Sequence, residues 1–140
     1  MTLPAVLAPV FVQVALVFFV LFRMGFARWT AVRDGQVEVR EGGPRNYGWP
    51  RKAQCAADNF QNQFELPTLF FALVPLAILT HKADLLFVLL AWVFVVLRWL
   101  HALEHMGPNR LKLRFPFYAA GALVLLVMWA VFAAHILLTL

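Results

Sequence analysis

Six side chains in two apolar stretches of this 140-residue chain have the types and spacing to do chemistry. At ~100° per residue, a helix from about Arg51 brings Asp58, Asn62 and Glu65 within about 60° of one another. Gln61 lies at the edge of that arc. Arg98, His101 and His105 follow the pattern i, i+3, i+7, again inside roughly 60°, with Glu104 beside them. Asn59 and Gln63 point off the main arc, toward another helix or another subunit. Glu65 and Arg98 are natural partners, because an unpaired charge in a bilayer costs at least ~2.5–3.5 kcal/mol. Amides and one ion pair can tie helices together without further purpose. That task does not need so many polar groups at one depth, and ionisable groups inside a membrane are read first as a functional site.

Two other chemistries are weaker. His101 and His105 at i, i+4 could ligate a metal with Glu65 as a third ligand. There is no HExxH pattern, however, and Arg98 one turn away opposes a cation, so no metal is expected. His81 and His135 could pair across a b-type haem only from helix ends, where a snorkelling surface histidine is the commoner case.

The elements that carry these residues are read from composition. Hydrophobic residues make up 63% and charged residues 14%, against about 25% charged in soluble domains. Lipid is therefore the expected solvent. The apolar stretches are Leu3–Phe22, Leu66–Leu79, Leu85–Leu97 and Phe115–Leu138. A bilayer core of ~30 Å needs ~20 helical residues. The first and last suffice alone, and the middle two cross only with their polar flanks. The reading is an all-α, integral membrane, four-helix up-down bundle in one domain. Its helices span about 3–28, 51–80, 84–106 and 114–139, with a loop over about 29–50. That loop ends in the turn-rich run Gly42-Gly43-Pro44-Arg45-Asn46-Tyr47-Gly48-Trp49-Pro50. Short connections elsewhere make neighbours antiparallel. Pro67 and Pro75 mark kinks in the second helix.

Leu3–Phe22 lacks a basic leader and is followed by Arg23 and Arg28, so it reads as a retained helix. Of the 12 basic residues, all but Lys82 flank two connections on one side. They are Arg23, Arg28, Arg33, Arg40, Arg45, Arg51 and Lys52 around the first, and Arg98, Arg110, Lys112 and Arg114 around the third. That side is cytoplasmic by the positive-inside rule, and both termini face away. The net charge of +5 thus reports topology, and no nucleic-acid partner is expected. Cys55 is the one cysteine, which rules out an internal disulfide, and it receives no role.

The run Asn62-Gln63-Phe64-Glu65-Leu66-Pro67-Thr68-Leu69-Phe70 resembles the N-x-x-E…P…F signature in the second helix of the MAPEG proteins, the membrane-associated proteins in eicosanoid and glutathione metabolism. Arg98-x-x-His101-x-x-x-His105, followed by Arg110, Arg114 and Tyr118, is similar in order and spacing to that family's third helix and the start of its fourth. His105 stands where a tyrosine is usual. The likeness covers roughly residues 51–121. It implies a bacterial inner-membrane homotrimer that binds glutathione between subunits on the cytoplasmic side. Asn62, Glu65, Arg98, His101, His105 and Arg110 would hold the tripeptide. Arg114 would stabilise the thiolate, with Tyr118 beside it. The co-substrate would be a lipophilic small-molecule electrophile arriving from membrane lipid. Gln61 and Asp58 depart from the pattern, since arginines usually stand one and four residues before the Asn. An aspartate there repels a carboxylate that an arginine would clamp. Arg51, Lys52, Arg23 and Arg28 are the cations near enough in sequence to take that part. The competing reading is a non-catalytic trimer whose polar cleft binds lipid head groups or another anion.

Overall fold

The structure, a computed structural model, describes residues 1–38 and 47–138. Arg40, Arg45, the turn formers from Gly42 to Asn46 and the expected helix end at 139 lie outside the described residues. Within them the chain forms five helices: α1 (Leu3–Arg33), α2 (Arg51–Asn62), α3 (Leu66–Leu79), α4 (Leu85–Met106) and α5 (Leu111–Leu137). Four spans are long and apolar enough to cross a bilayer, the second being α2 and α3 together.

α1 runs on to Arg33, past the expected end at 28. Nothing between Ala27 and Arg33 breaks a helix, and Arg33 folds back over the Trp29 ring at 4.8 Å. Gly35, at φ 71°, supplies the left-handed backbone just past the helix end. Asp84 accepts the Phe87 N–H at 2.8 Å and so caps α4. α5 begins at Leu111, one turn before the expected 114.

The second span is two helices, where the sequence pattern suggested one kinked helix over 51–80. In a continuous helix the Pro67 ring would collide with the Gln63 carbonyl, four residues back. The chain therefore leaves helical geometry at Glu65 (φ −93°, ψ −106°) and restarts with Pro67 in the first turn of α3, where its missing N–H does no harm. Pro75 stays inside α3 without ending it.

The break is bridged by buried amides. Gln63 donates to the Asn59 carbonyl at 3.1 Å and to Asn59 Oδ1 at 3.2 Å. Gln13 of α1 donates to Gln63 Oε1 at 3.4 Å. Asn59 donates to the Ala102 carbonyl of α4 at 3.1 Å. Asn59 and Gln63 thus serve neighbouring helices of their own chain, so of the two alternatives, another helix or another subunit, the structure shows the first. Gln63→Leu is expected to destabilise the fold by about 0.6–1.7 kcal/mol for the interhelical bond lost, read as a lower thermal midpoint in detergent. An unchanged midpoint would show that the amide chain contributes nothing.

Cross-links fix the helix directions. Cys55, Asn59 and Asn62 of α2 meet Asn109, Ala102 and Arg98 in that order, so α2 and α4 are antiparallel. Trp99 donates to the Val12 carbonyl at 3.2 Å and ties α4 to α1. Tyr118 lies against His101 and Arg98, while Met128 packs in one cluster with Phe87, so α5 also runs against α4. The apolar core gathers Phe70, Leu73, Val74, Phe94, Leu125 and Met128 on one side of the break. The polar groups gather on the other.

Candidate functional site

The centre of the polar half is Arg98, whose side chain is 0% exposed. α2 ends at Asn62, and the last carbonyls of a helix have no partner within it. Arg98 Nη2 donates to the Asn62 carbonyl at 3.2 Å. The negative end of the α2 dipole favours a cation at that point. The break before Pro67 thus creates the acceptor that Arg98 uses. Its Nε and Nη1 are buried without a hydrogen-bond partner among the described residues.

His101 and His105 continue the Arg98 face of α4, at 3% and 6% exposure. Their rings meet edge to face with centroids 5.7 Å apart. His105 Nδ1 lies 3.4 Å from the Asn62 amide nitrogen. Tyr118 closes the group from α5, its ring 5.5 Å from His101 and 5.8 Å from the Arg98 guanidinium carbon. The charge of Arg114 acts on both histidines. Asn62, Arg98, His101, His105 and Tyr118 are therefore brought together, with Arg114 in electrostatic range.

Three expected members stand elsewhere. Glu65 is exposed, and no ion pair joins it to Arg98 among the described residues, although its charge acts on Arg98 from a distance. The helical arithmetic that aligned it stops at Asn62, because Glu65 sits in the break. The expected Glu65–Arg98 pair is corrected to an Arg98–Asn62 carbonyl bond. Asp58 is exposed too, and accepts from Gln54 at 2.7 Å. Arg110 is taken up by Glu104: Nε donates to Oε1 at 2.9 Å, Nη2 to Oε2 at 3.2 Å, and the Arg110 backbone N–H to Oε1 at 2.9 Å. This carboxylate raises the Arg110 pKa above its ordinary value, through the side-chain hydrogen bond first and its charge second. The pair closes the α4–α5 turn with the arginine side chain 61% exposed.

A cleft of about 740 Å³ opens on the next face of α2, toward α1. Met24, Arg28, Trp49, Gln54, Asp58 and Gln61 are among its lining residues. The Arg28 guanidinium lies 5.0 Å from the centre of the Trp49 ring. Arg28 Nε and Trp49 Nε1 are buried there without a hydrogen-bond partner among the described residues. The sequence named Arg28 only as one of several cations near enough to reach the site. Trp49, at the end of a long connection, gave no signal. Glu104 with Arg110 was legible only to a reader who folded the chain at Gly107-Pro108. Among the described residues no three His, Cys, Asp or Glu side chains converge as a metal site.

Four apolar spans around a buried ionisable cluster at one end define a polytopic helical membrane protein with a polar site. The sequence pattern of the MAPEG family matches residues 6–134, and the chain belongs to that family. No curated protein and no solved structure matches it.

Proposed function

We propose that this protein is a glutathione-dependent transferase or peroxidase acting on lipophilic electrophiles, at a cleft between subunits of a homotrimer. The carrying observation is Arg98: a fully buried cation with two guanidinium nitrogens unpartnered. Buried donors are almost always satisfied, and an anionic ligand would satisfy these. Asn62, His101, His105 and Tyr118 surround it, while Glu65 lies in the break and Arg110 is held in the turn by Glu104.

The chemistry follows from Arg114. A thiol of pKa ~8.5 is mostly protonated at neutral pH, and a nearby cation lowers that value. Arg114 stands in the first turn of α5, where the helix dipole favours a thiolate as well. The thiolate would attack an electrophile that arrives from the bilayer. The distribution of basic residues supports a site on the cytoplasmic side of the membrane, with both termini opposite; the resemblance suggests a bacterial inner membrane.

Isothermal titration of the detergent-solubilised protein with glutathione tests this reading. Saturable heat is expected, and no binding at millimolar concentration would sink it. A second reading is favoured by Asp58 and Gln61, which line the large cleft where arginines would suit a glutathione carboxylate. On that reading the protein is non-catalytic and holds lipid head groups or another anion. Lipid would then co-purify, and an S-blocked glutathione would bind as well as the free thiol.

A further inference from the structure

We propose that Asn109 is a positioning residue whose side-chain carbonyl sets where the Arg114 guanidinium stands. This rests on the reading of Arg114 as the cation beside the thiol. Asn109 lies in the Gly107-Pro108-Asn109 turn between α4 and α5, with φ 51°. Its backbone N–H donates to the Glu104 carbonyl at 2.7 Å. Asparagine tolerates left-handed backbone better than most residues, so the turn alone accounts for Asn or Gly at this place. It does not account for the side chain. Oδ1 accepts from Arg114 Nη1 at 2.6 Å. Nδ2 points at Cys55 Sγ, 3.7 Å away on α2. Both ends of the amide are engaged, and they link the first turn of α5 to α2.

The two arginines of this turn are held in different ways. Arg110 faces a carboxylate, and its charge is neutralised locally. Arg114 faces an amide, which fixes one nitrogen and leaves the full positive charge. Arginine has five N–H donors, so four remain for a ligand. A flexible cation placed before the ligand arrives spares the binding step that ordering cost. An aspartate at 109 would hold the same geometry and quench the charge, which identifies the amide as the functional feature.

The test compares the full-length parent with Asn109→Gly and Asn109→Asp in detergent. Gly keeps the left-handed turn without the clamp, and Asp keeps an acceptor but adds a negative charge. The probe is glutathione with chlorodinitrobenzene. A sulfur–carbon bond forms, the carbon–chlorine bond breaks, chloride leaves and the thiol proton passes to solvent. Both variants are expected to lose roughly ten- to a hundredfold in kcat, the larger figure being what a misplacement of about 1 Å can cause. KM for glutathione rises by no more than a few-fold, the ordering cost the clamp spares, because the other groups that hold the tripeptide are untouched. Parent-like kcat in both variants would overturn the proposal. So would a matching loss of kcat and thermal stability in Gly alone, which would reduce Asn109 to a turn residue. If the parent binds no glutathione, the proposed function fails separately. The clamp is then judged by guanidinium NMR of isotope-labelled Arg114. Restricted rotation in the parent that is lost in Asn109→Gly upholds it, and free rotation in both overturns it.

Discussion

Replacing Arg98 with methionine is expected to raise the thermal midpoint and weaken glutathione binding at least tenfold in the same variant. The two effects have separate origins. Methionine gives up one hydrogen bond to the Asn62 carbonyl, and interhelical bonds in membranes average about 0.6 kcal/mol. It also gives up the contact with the Tyr118 ring, about 0.5–1 kcal/mol for a cation over an aromatic face. Against this, it removes a charge costing ~2.5–3.5 kcal/mol at membrane depth. It also removes two buried donors that lack partners. The balance favours methionine by about 1–4 kcal/mol, the range seen when buried charges are replaced by apolar groups of similar volume. Binding moves the other way. Each charge-assisted hydrogen bond lost is worth about 1.5–3 kcal/mol, or roughly a ten- to hundredfold weaker Kd. Thermal unfolding and calorimetry on one preparation check both. A lower midpoint would mean that Arg98 is present for the fold.

Phe70→Ala should produce the largest loss of stability of any single truncation in the core. Phe70 is 0% exposed and stacks on Phe94, with ring centroids 5.0 Å apart and planes 28° from parallel. Truncating a buried phenylalanine costs about 3–5 kcal/mol in soluble cores. Lipid removes part of the transfer contribution but not the lost packing, so about 3 kcal/mol is expected in a denaturant titration. Phe70 belongs to α3, beyond the break, and the site residues of the second span belong to α2. Glutathione affinity should therefore stay within about twofold of the parent, as for distant sites without shared partners. A parallel collapse of binding would show that the break does not insulate the two halves.

How far these features could be read from sequence depended on whether a helix stayed whole. α4 is unbroken from Leu85 to Met106, so the spacing of Arg98, His101 and His105 translated directly into one buried face. Along α2 the same arithmetic delivered Asn62 to the cluster but not Asp58, which is exposed and accepts from Gln54. It failed at Glu65, because Pro67 had already ended the helix. The first and last spans were plain from apolar length, and the middle two once their polar flanks were counted. The turn contacts were not, since Asn109–Arg114 and Glu104–Arg110 depend on the backbone of a short connection, with Asn109 at positive φ. Asn59 and Gln63 were correctly placed off the main arc. Only the packed structure shows that their partners are Gln13 and the Ala102 carbonyl.

The divided second span also bears on how the protein is made. α3 has 14 residues, which at 1.5 Å each rise about 21 Å, short of a ~30 Å bilayer core. α2, the other half, carries Gln54, Asp58, Asn59, Gln61 and Asn62. A segment of this kind is a weak signal to the translocon as it leaves the ribosome. Its polar half gains partners only when Gln13 is already inserted and Ala102 and Arg98 follow. Residues 51–79 thus depend on the rest of the bundle to satisfy their polar half, and the break that opens a carbonyl to Arg98 is held by the same contacts.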